Sequence, residues 1–239
     1  MIDVPLSLEQ YRLVWLVGSI LLYVLSVNIA WTVQAVKWSG IVTFLSELIR
    51  FGYYVGIPYF ALLDGVVTLK SMGYHPMSQA ENLDRGFFIA GIYCVLILVL
   101  GWYARRVLSN SKSPRGISKG RPFLIVDWMF TLINMLFRHV HWAYYLALPV
   151  LILNDRYLGG FLGLALILGE AYANPSTRHR LGDPAETEFL LLNAGLAVLS
   201  SVLYVITGVS WLGLTSHFAL VVIWIVATPY QPHPQATKI

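Results

Sequence analysis

The chain has 239 residues, of which 57% are hydrophobic and only 12% charged, with a formal net charge of +4 and a mean hydropathy of +0.67. Soluble domains carry about 25% charged residues, so a chain this apolar cannot keep its whole surface in water and falls in the helical membrane class. Apolar runs of twenty or so residues, in place of alternating ten-residue stretches, argue against a transmembrane β-barrel, and the one cysteine, Cys94, rules out an intrachain disulfide, a CxxC site and c-type haem attachment.

The N-terminal "MIDVPLSLEQYR" lacks the basic flank of a cleavable signal peptide, so the first apolar run, 12–33, is expected to stay as a helix. Six further spans are predicted, at 42–66, 87–104, 123–153, 157–173, 188–207 and 210–229. The second carries Glu47 and Arg50, three residues apart and able to pair on one face, then Pro58, which should kink it. Asp64 stands near its far end. The loop 68–86 has balanced charge, whereas 105–121 holds six Lys and Arg and no acid.

By the positive-inside rule that basic loop is cytoplasmic. Counting outward puts Lys37 and "STRHR" (176–180) on the same side, the N-terminus outside and the C-terminus inside. Topology and attraction to anionic lipid account for the basic loop. Without interleaved aromatics it does not read as a nucleic-acid site.

The fourth span, 123–153, is too long for a hydrocarbon core about 30 Å thick, so it should tilt or begin as an interfacial helix. It contains "RHVHWAYY" (138–145). Asp127, Asn134, Arg138, His141 and Tyr145 are spaced 7, 4, 3 and 4 residues apart; at 100° per residue they fall on one stripe. Together with Glu47 and Arg50 they form the expected structural polar stripe. His139 points about 160° away from His141. Facing lipid costs an ionisable group roughly 2.5–3.5 kcal/mol, so the stripe is expected to turn toward other helices.

The fifth span, 157–173, is short and glycine-rich, and an incomplete crossing is one reading of it. It ends in Glu170 just before "AYANP". Only "GVS" joins the last two spans, which demands a tight hairpin, and the seventh carries His217. Depth counting brings His141 and His217 together in the outer half and leaves Glu170 too near the cytoplasmic side to join them. Residues 1–230 form one helical domain, and the proline-rich 231–239 form a short flexible tail.

Three readings stand for these polar groups. In the first, Asp127, Arg138, Glu47 and Arg50 neutralise one another, with the histidines bonded to backbone or hydroxyl partners. In the second, His139, His141 or His217 binds a cofactor such as haem or a bacteriochlorophyll, with carotenoid contact, among the many aromatic rings; no metal site is singled out. In the third, His141, Glu170 and His217 activate water in a buried cavity.

The order of an ionisable motif in a long middle span, an apolar hairpin and a late histidine helix resembles the CPBP (CAAX-protease and bacteriocin-processing, Abi-like) intramembrane proteins. Proteolytic members of that family carry EExxxR, FxxxH and HxxxN motifs. The counterpart of the first motif is "HWAYYL" (141–146), with His141 and Trp142 where the glutamates stand and Leu146 where the arginine stands. "HFALV" retains His217 and has Val221 for the asparagine; "FRHVH" spells FxxxH at Phe137 and His141, out of order. The stretch "ELIRFGYYVGIPYFALLDGVVTLKSMGY" is similar to uncharacterised membrane proteins of filamentous anoxygenic phototrophs.

The resemblance implies the family scaffold without its intact motifs. The expectation is a multi-pass protein of the cell inner (cytoplasmic) membrane, acting as a non-catalytic accessory or assembly subunit. It would pack against other membrane-protein subunits, or position a cofactor, in a photosynthetic or respiratory complex. The alternative is an intramembrane peptidase with altered active-site residues.

Overall fold

The computed structural model describes residues 7–34, 48–110, 125–182 and 184–227. Among them the regular structure is entirely helical. The helices are α1 (Leu8–Gln34), α2 (Leu48–Leu63), α3 (Leu83–Asn110), α4 (Ile125–Leu153), α5 (Arg156–Ala173), α6 (Pro175–Leu181), α7 (Pro184–Thr207) and α8 (Trp211–Ala227). A helix lies within or over each predicted span, with 42–47, 123–124 and 228–229 outside the described residues and 64–66 beyond the end of α2, and α6 is an added short helix at the "STRHR" segment. Within α1, α3, α4 and α7 lie apolar stretches long enough to cross a membrane; α2 and α8 offer shorter ones.

Helix α4 is the axis of the bundle. Every position from 141 to 149 is buried, which requires neighbours on all sides. One neighbour is α5, folded back on it through a two-residue turn. Asn154 takes the left-handed backbone there, at φ 50°, a conformation asparagine tolerates better than most residues. Asp155 then caps α5, its side chain accepting from the N–H groups of Tyr157 and Leu158 at 2.8 and 2.9 Å.

The two helices approach closely because α5 presents glycine to α4. A Cβ on Gly159 would meet the Val150 backbone at 2.5 Å, and one on Gly163 the Tyr145 carbonyl oxygen at 2.6 Å. The glycine-rich sequence forms a continuous helix of 18 residues, and Gly159 and Gly163 serve its packing on α4.

By contrast, α1 and α3 turn apolar side chains outward. Leu13, Val14, Val17, Leu21 and Leu25 of α1 are exposed, as are Phe87, Phe88, Ile92, Val95 and Val99 of α3. Continuous apolar faces of this kind exceed the scattered exposed leucines of a soluble surface.

The end of the bundle away from the basic loop is closed by the segment 64–82. Its Val66, Val67 and Met72 are buried, and its carbonyls are held by long-range donors. Arg12 donates to the carbonyl of Val66 at 3.2 Å, Tyr204 to Ser71 and Ser210 to Met72, both at 2.6 Å. Arg156 forks onto Glu81 with bonds of 2.8 and 3.0 Å, which holds the Glu81 carboxyl below its ordinary range. Asp64 accepts from the Tyr11 hydroxyl at 2.8 Å. As predicted, residues 208–210 make the tight α7–α8 turn, with Gly208 at φ 72°.

Candidate functional site

The polar stripe of α4 does turn inward, and its described members meet four neighbouring helices, α1, α2, α5 and α7. Asn134 accepts from Arg50 of α2, and Arg138 donates to the amide oxygen of Asn193 on α7. His141 meets Glu170 of α5, Nε2 to Oε2 at 2.8 Å. Tyr145 meets Tyr53 of α2 at 2.8 Å and Ser19 of α1 at 3.3 Å, hydroxyl to hydroxyl. The side chain of Asp127, and Glu47 with the Glu47–Arg50 pairing, lie outside the described residues.

Around Glu170 these contacts close into one cluster. Oε1 accepts from the Tyr53 hydroxyl and, at 3.2 Å, from that of Tyr145; Oε2 faces His141. With the carboxyl ionised, Nε2–H of His141 donates to it, and Nδ1 is left without a partner. The rings of Tyr53 and Tyr54 lie 4.8 and 5.0 Å from the His141 ring, centre to centre. His141 and Tyr145 are 0% exposed and the Glu170 side chain 7%.

This arrangement corrects two expectations. Glu170 does join the central stripe, through an unbroken α5, since α4 and α5 form a hairpin whose register aligns the two positions. And the partner of His217 is His139, not His141: His139 Nε2 and His217 Nδ1 are 2.8 Å apart, with Trp142 stacked on His217 at 5.9 Å. His139 and His141 do diverge around the helix as the 200° step between them requires.

Arg50 and Arg138 each donate to an amide oxygen, and His141 meets a carboxylate where the sequence suggested backbone or hydroxyl partners for the histidines.

Tyr53 and Tyr54 were not foreseen. They sit in a single π-helical turn, Gly52–Gly56, set within α2 just before Pro58. Such a turn is wider than an α-helical one, so adjacent tyrosines both reach the His141 ring. A reading by 3.6-residue periodicity sends one of the two away. The glycines flanking "GYYVG" ahead of a proline were the available signal.

The chemistry open to this cluster is proton exchange. Tyr145 can donate to Tyr53, Tyr53 donates to Glu170, and Glu170 shares a proton position with His141. A pigment or haem does not fit the histidines as packed. Such a macrocycle needs a slot beside an imidazole nitrogen, whereas His139, His141 and His217 are at most 3% exposed and are flanked by Trp142, Tyr53 and Tyr54. Among the described residues no group of three or more His, Cys, Asp or Glu could hold a metal ion. Comparison with protein-family models, with curated proteins and with solved structures finds no match to this chain.

Proposed function

We propose that this chain is a multi-pass protein of the cytoplasmic membrane, with seven crossings, the 105–121 loop in the cytoplasm and the N-terminus outside. Within that membrane it acts as a non-catalytic accessory or assembly subunit, and its outward apolar faces on α1 and α3 pack against lipid and neighbouring subunits of a larger complex. The observation that carries the non-catalytic reading is that both oxygens of Glu170 are engaged: Oε1 accepts from Tyr53 and Tyr145 and Oε2 faces His141, with the side chain 7% exposed. A group held this way ties α2, α4 and α5 together.

Purification in mild detergent from the native membrane tests this reading. It expects a stoichiometric set of membrane-protein partners identified by mass spectrometry, and a partner-free protein after cross-linking in the membrane refutes it. An absorption spectrum of the same sample tests the packing argument against a pigment or haem: a Soret or near-infrared band weakened by replacement of His139, His141 or His217 would overturn it.

One observation favours a second reading, an intramembrane peptidase on a CPBP-like scaffold. A glutamate and a histidine, the residue types that activate water in that family, stand 2.8 Å apart here although the motif order differs. Opening of the Tyr53–Tyr54 turn would uncover them. This reading predicts that Glu170→Gln abolishes cleavage of a membrane-anchored substrate while the protein stays folded. Undiminished cleavage in that variant rejects it.

A further inference from the structure

One hydrogen position in the central cluster stands open. With Glu170 ionised, Nε2–H of His141 donates to Oε2 at 2.8 Å, and Nδ1 is a fully buried lone pair without a donor. The hydroxyls beside it are engaged elsewhere: Tyr53 donates to Oε1 of the same carboxylate, and Tyr54 bonds to Tyr23. Buried polar atoms are rarely left in this condition, because each gives up its bond to water.

A proton added to the pair has two homes, and both place a hydrogen on that nitrogen. If His141 takes it, Nδ1–H forms on an imidazolium beside the carboxylate. If Glu170 takes it, the acid donates to Nε2 and the neutral imidazole carries its own hydrogen on Nδ1. The rings of Tyr53, Tyr54 and Tyr145 surround the imidazole, with centres 4.8, 5.0 and 4.3 Å away. Aromatic faces accept an N–H or a cation, yet they give a bare lone pair no hydroxyl or amide donor. The titratable groups facing the pair are Tyr23 from α1, Tyr53 and Tyr54 from α2, and Tyr145 from α4. The cations Arg138 and Arg50 act on Tyr54.

The two ends of the seam differ in closure. Beyond His141, every position of α4 through Pro149 is buried. The segment 64–82 then covers that end, pinned through its carbonyls by Arg12, Tyr204 and Ser210. Toward the basic loop, Asn134, Arg138, Arg50 and Asn174 all keep partial exposure. From there Asn174 reaches the Tyr23 hydroxyl at 3.5 Å, Tyr23 bonds to Tyr54, and both hydroxyls lie within electrostatic reach of Glu170.

We propose that His141 and Glu170 form a binding site for one proton, which fills and empties from the membrane face carrying the basic loop and is closed to the other face. A hydronium ion on that face gives up the proton and leaves as water, and the pair passes from one negative charge to none. This goes beyond the accessory role and rests on the membrane reading alone, which is tested separately by whether the protein leaves the membrane without detergent.

The test is infrared difference spectroscopy of the full chain in unidirectional proteoliposomes whose lumen is held by a concentrated impermeant buffer. An epitope placed in the 105–121 loop tells which face meets the bath. With the loop facing the bath, a jump from about pH 9 to about pH 5 should raise a protonated-carboxyl band or, with isotope-labelled histidine, an imidazolium band. E170Q should lack it. With the loop facing the lumen, the same jump should leave the wild type unchanged. A band that answers the other face, or both faces equally, overturns the one-sided access. Wild-type and E170Q spectra that differ by no titrating band overturn the proton site itself. Should E170Q fail to fold by circular dichroism, Y53F keeps Glu170 and His141 and removes a donor to Oε1. The band should then shift in frequency, and an unshifted band overturns its assignment to this pair.

Discussion

Replacing Gly163 by alanine puts a methyl group 2.6 Å from the Tyr145 carbonyl oxygen and 2.9 Å from the Leu146 Cα. Both are backbone atoms of a buried helix, so neither can swing aside. Ordinary contact for a Cβ begins near 3.4 Å, and α5 must therefore move off α4 by about 0.8 Å at this level. Overpacking of this kind costs about 1–3 kcal/mol. The same substitution removes a helical glycine, which returns about 1 kcal/mol. Gly169 supplies the control: it lies two turns on in the same helix, and nothing stands within 4 Å of a Cβ there. The propensity gain enters both variants and cancels, so their difference isolates the steric cost. Thermal unfolding in detergent, followed by circular dichroism, should place G163A below G169A by on the order of 5 °C for a chain of this length. Equal midpoints, or a G163A protein more stable than G169A, would refute the close α4–α5 contact.

Three further outcomes are expected. Glu170→Gln keeps an acceptor for Tyr53 and should cost about 1 kcal/mol, whereas Glu170→Leu strands the His141 N–H and leaves the Tyr53 hydroxyl only Tyr145 and should cost about 3–5 kcal/mol; chemical denaturation that ranks the two equally would contradict the cluster. His217→Ala leaves His139 Nε2 buried without its imidazole partner and should lower stability by about 1–3 kcal/mol, and a wild-type unfolding midpoint in this variant would show that the pair is idle. The fork of Arg156 holds the Glu81 carboxyl below its ordinary range, so its stabilising contribution is complete above the usual glutamate value and fades as pH falls through the depressed one; unfolding midpoints of wild type and Glu81→Gln should differ at neutral pH and converge in acid, and a constant gap across that range would sink the assignment.

Much of the architecture was written in hydrophobic run length. Each predicted span holds a helix among its described residues, since long apolar runs without turn signals leave few alternatives. The polar stripe was legible for the same local reason: intervals of 3, 4 and 7 close on one face of any α-helix, whatever surrounds it. What stayed hidden was the identity of the partner on each neighbouring helix. Arg138 could have met Asp127 or Glu47 by sequence, and met Asn193 of α7, because interhelical pairing depends on rotation about each axis and on lateral position in the bundle.

The misplacement of Glu170 has a specific origin. Measuring depth from the basic loop treats α4 as a span that starts at the membrane edge, yet its 29 residues exceed what a hydrocarbon core about 30 Å thick requires, so that end does not fix the depth of later residues. Measuring from the opposite end avoids this error, because the α4–α5 connection is only Asn154 and Asp155. His141 lies fourteen positions before Asp155 and Glu170 fifteen positions after it. In an antiparallel hairpin with a turn this tight, equal distances from the turn mean equal height. The contacts of Gly159 with Val150 and of Gly163 with Tyr145 obey the same register. A short connection therefore carries long-range pairing information that hydropathy does not, and it brings a carboxylate from a segment that looked too shallow onto the most enclosed of the described histidines.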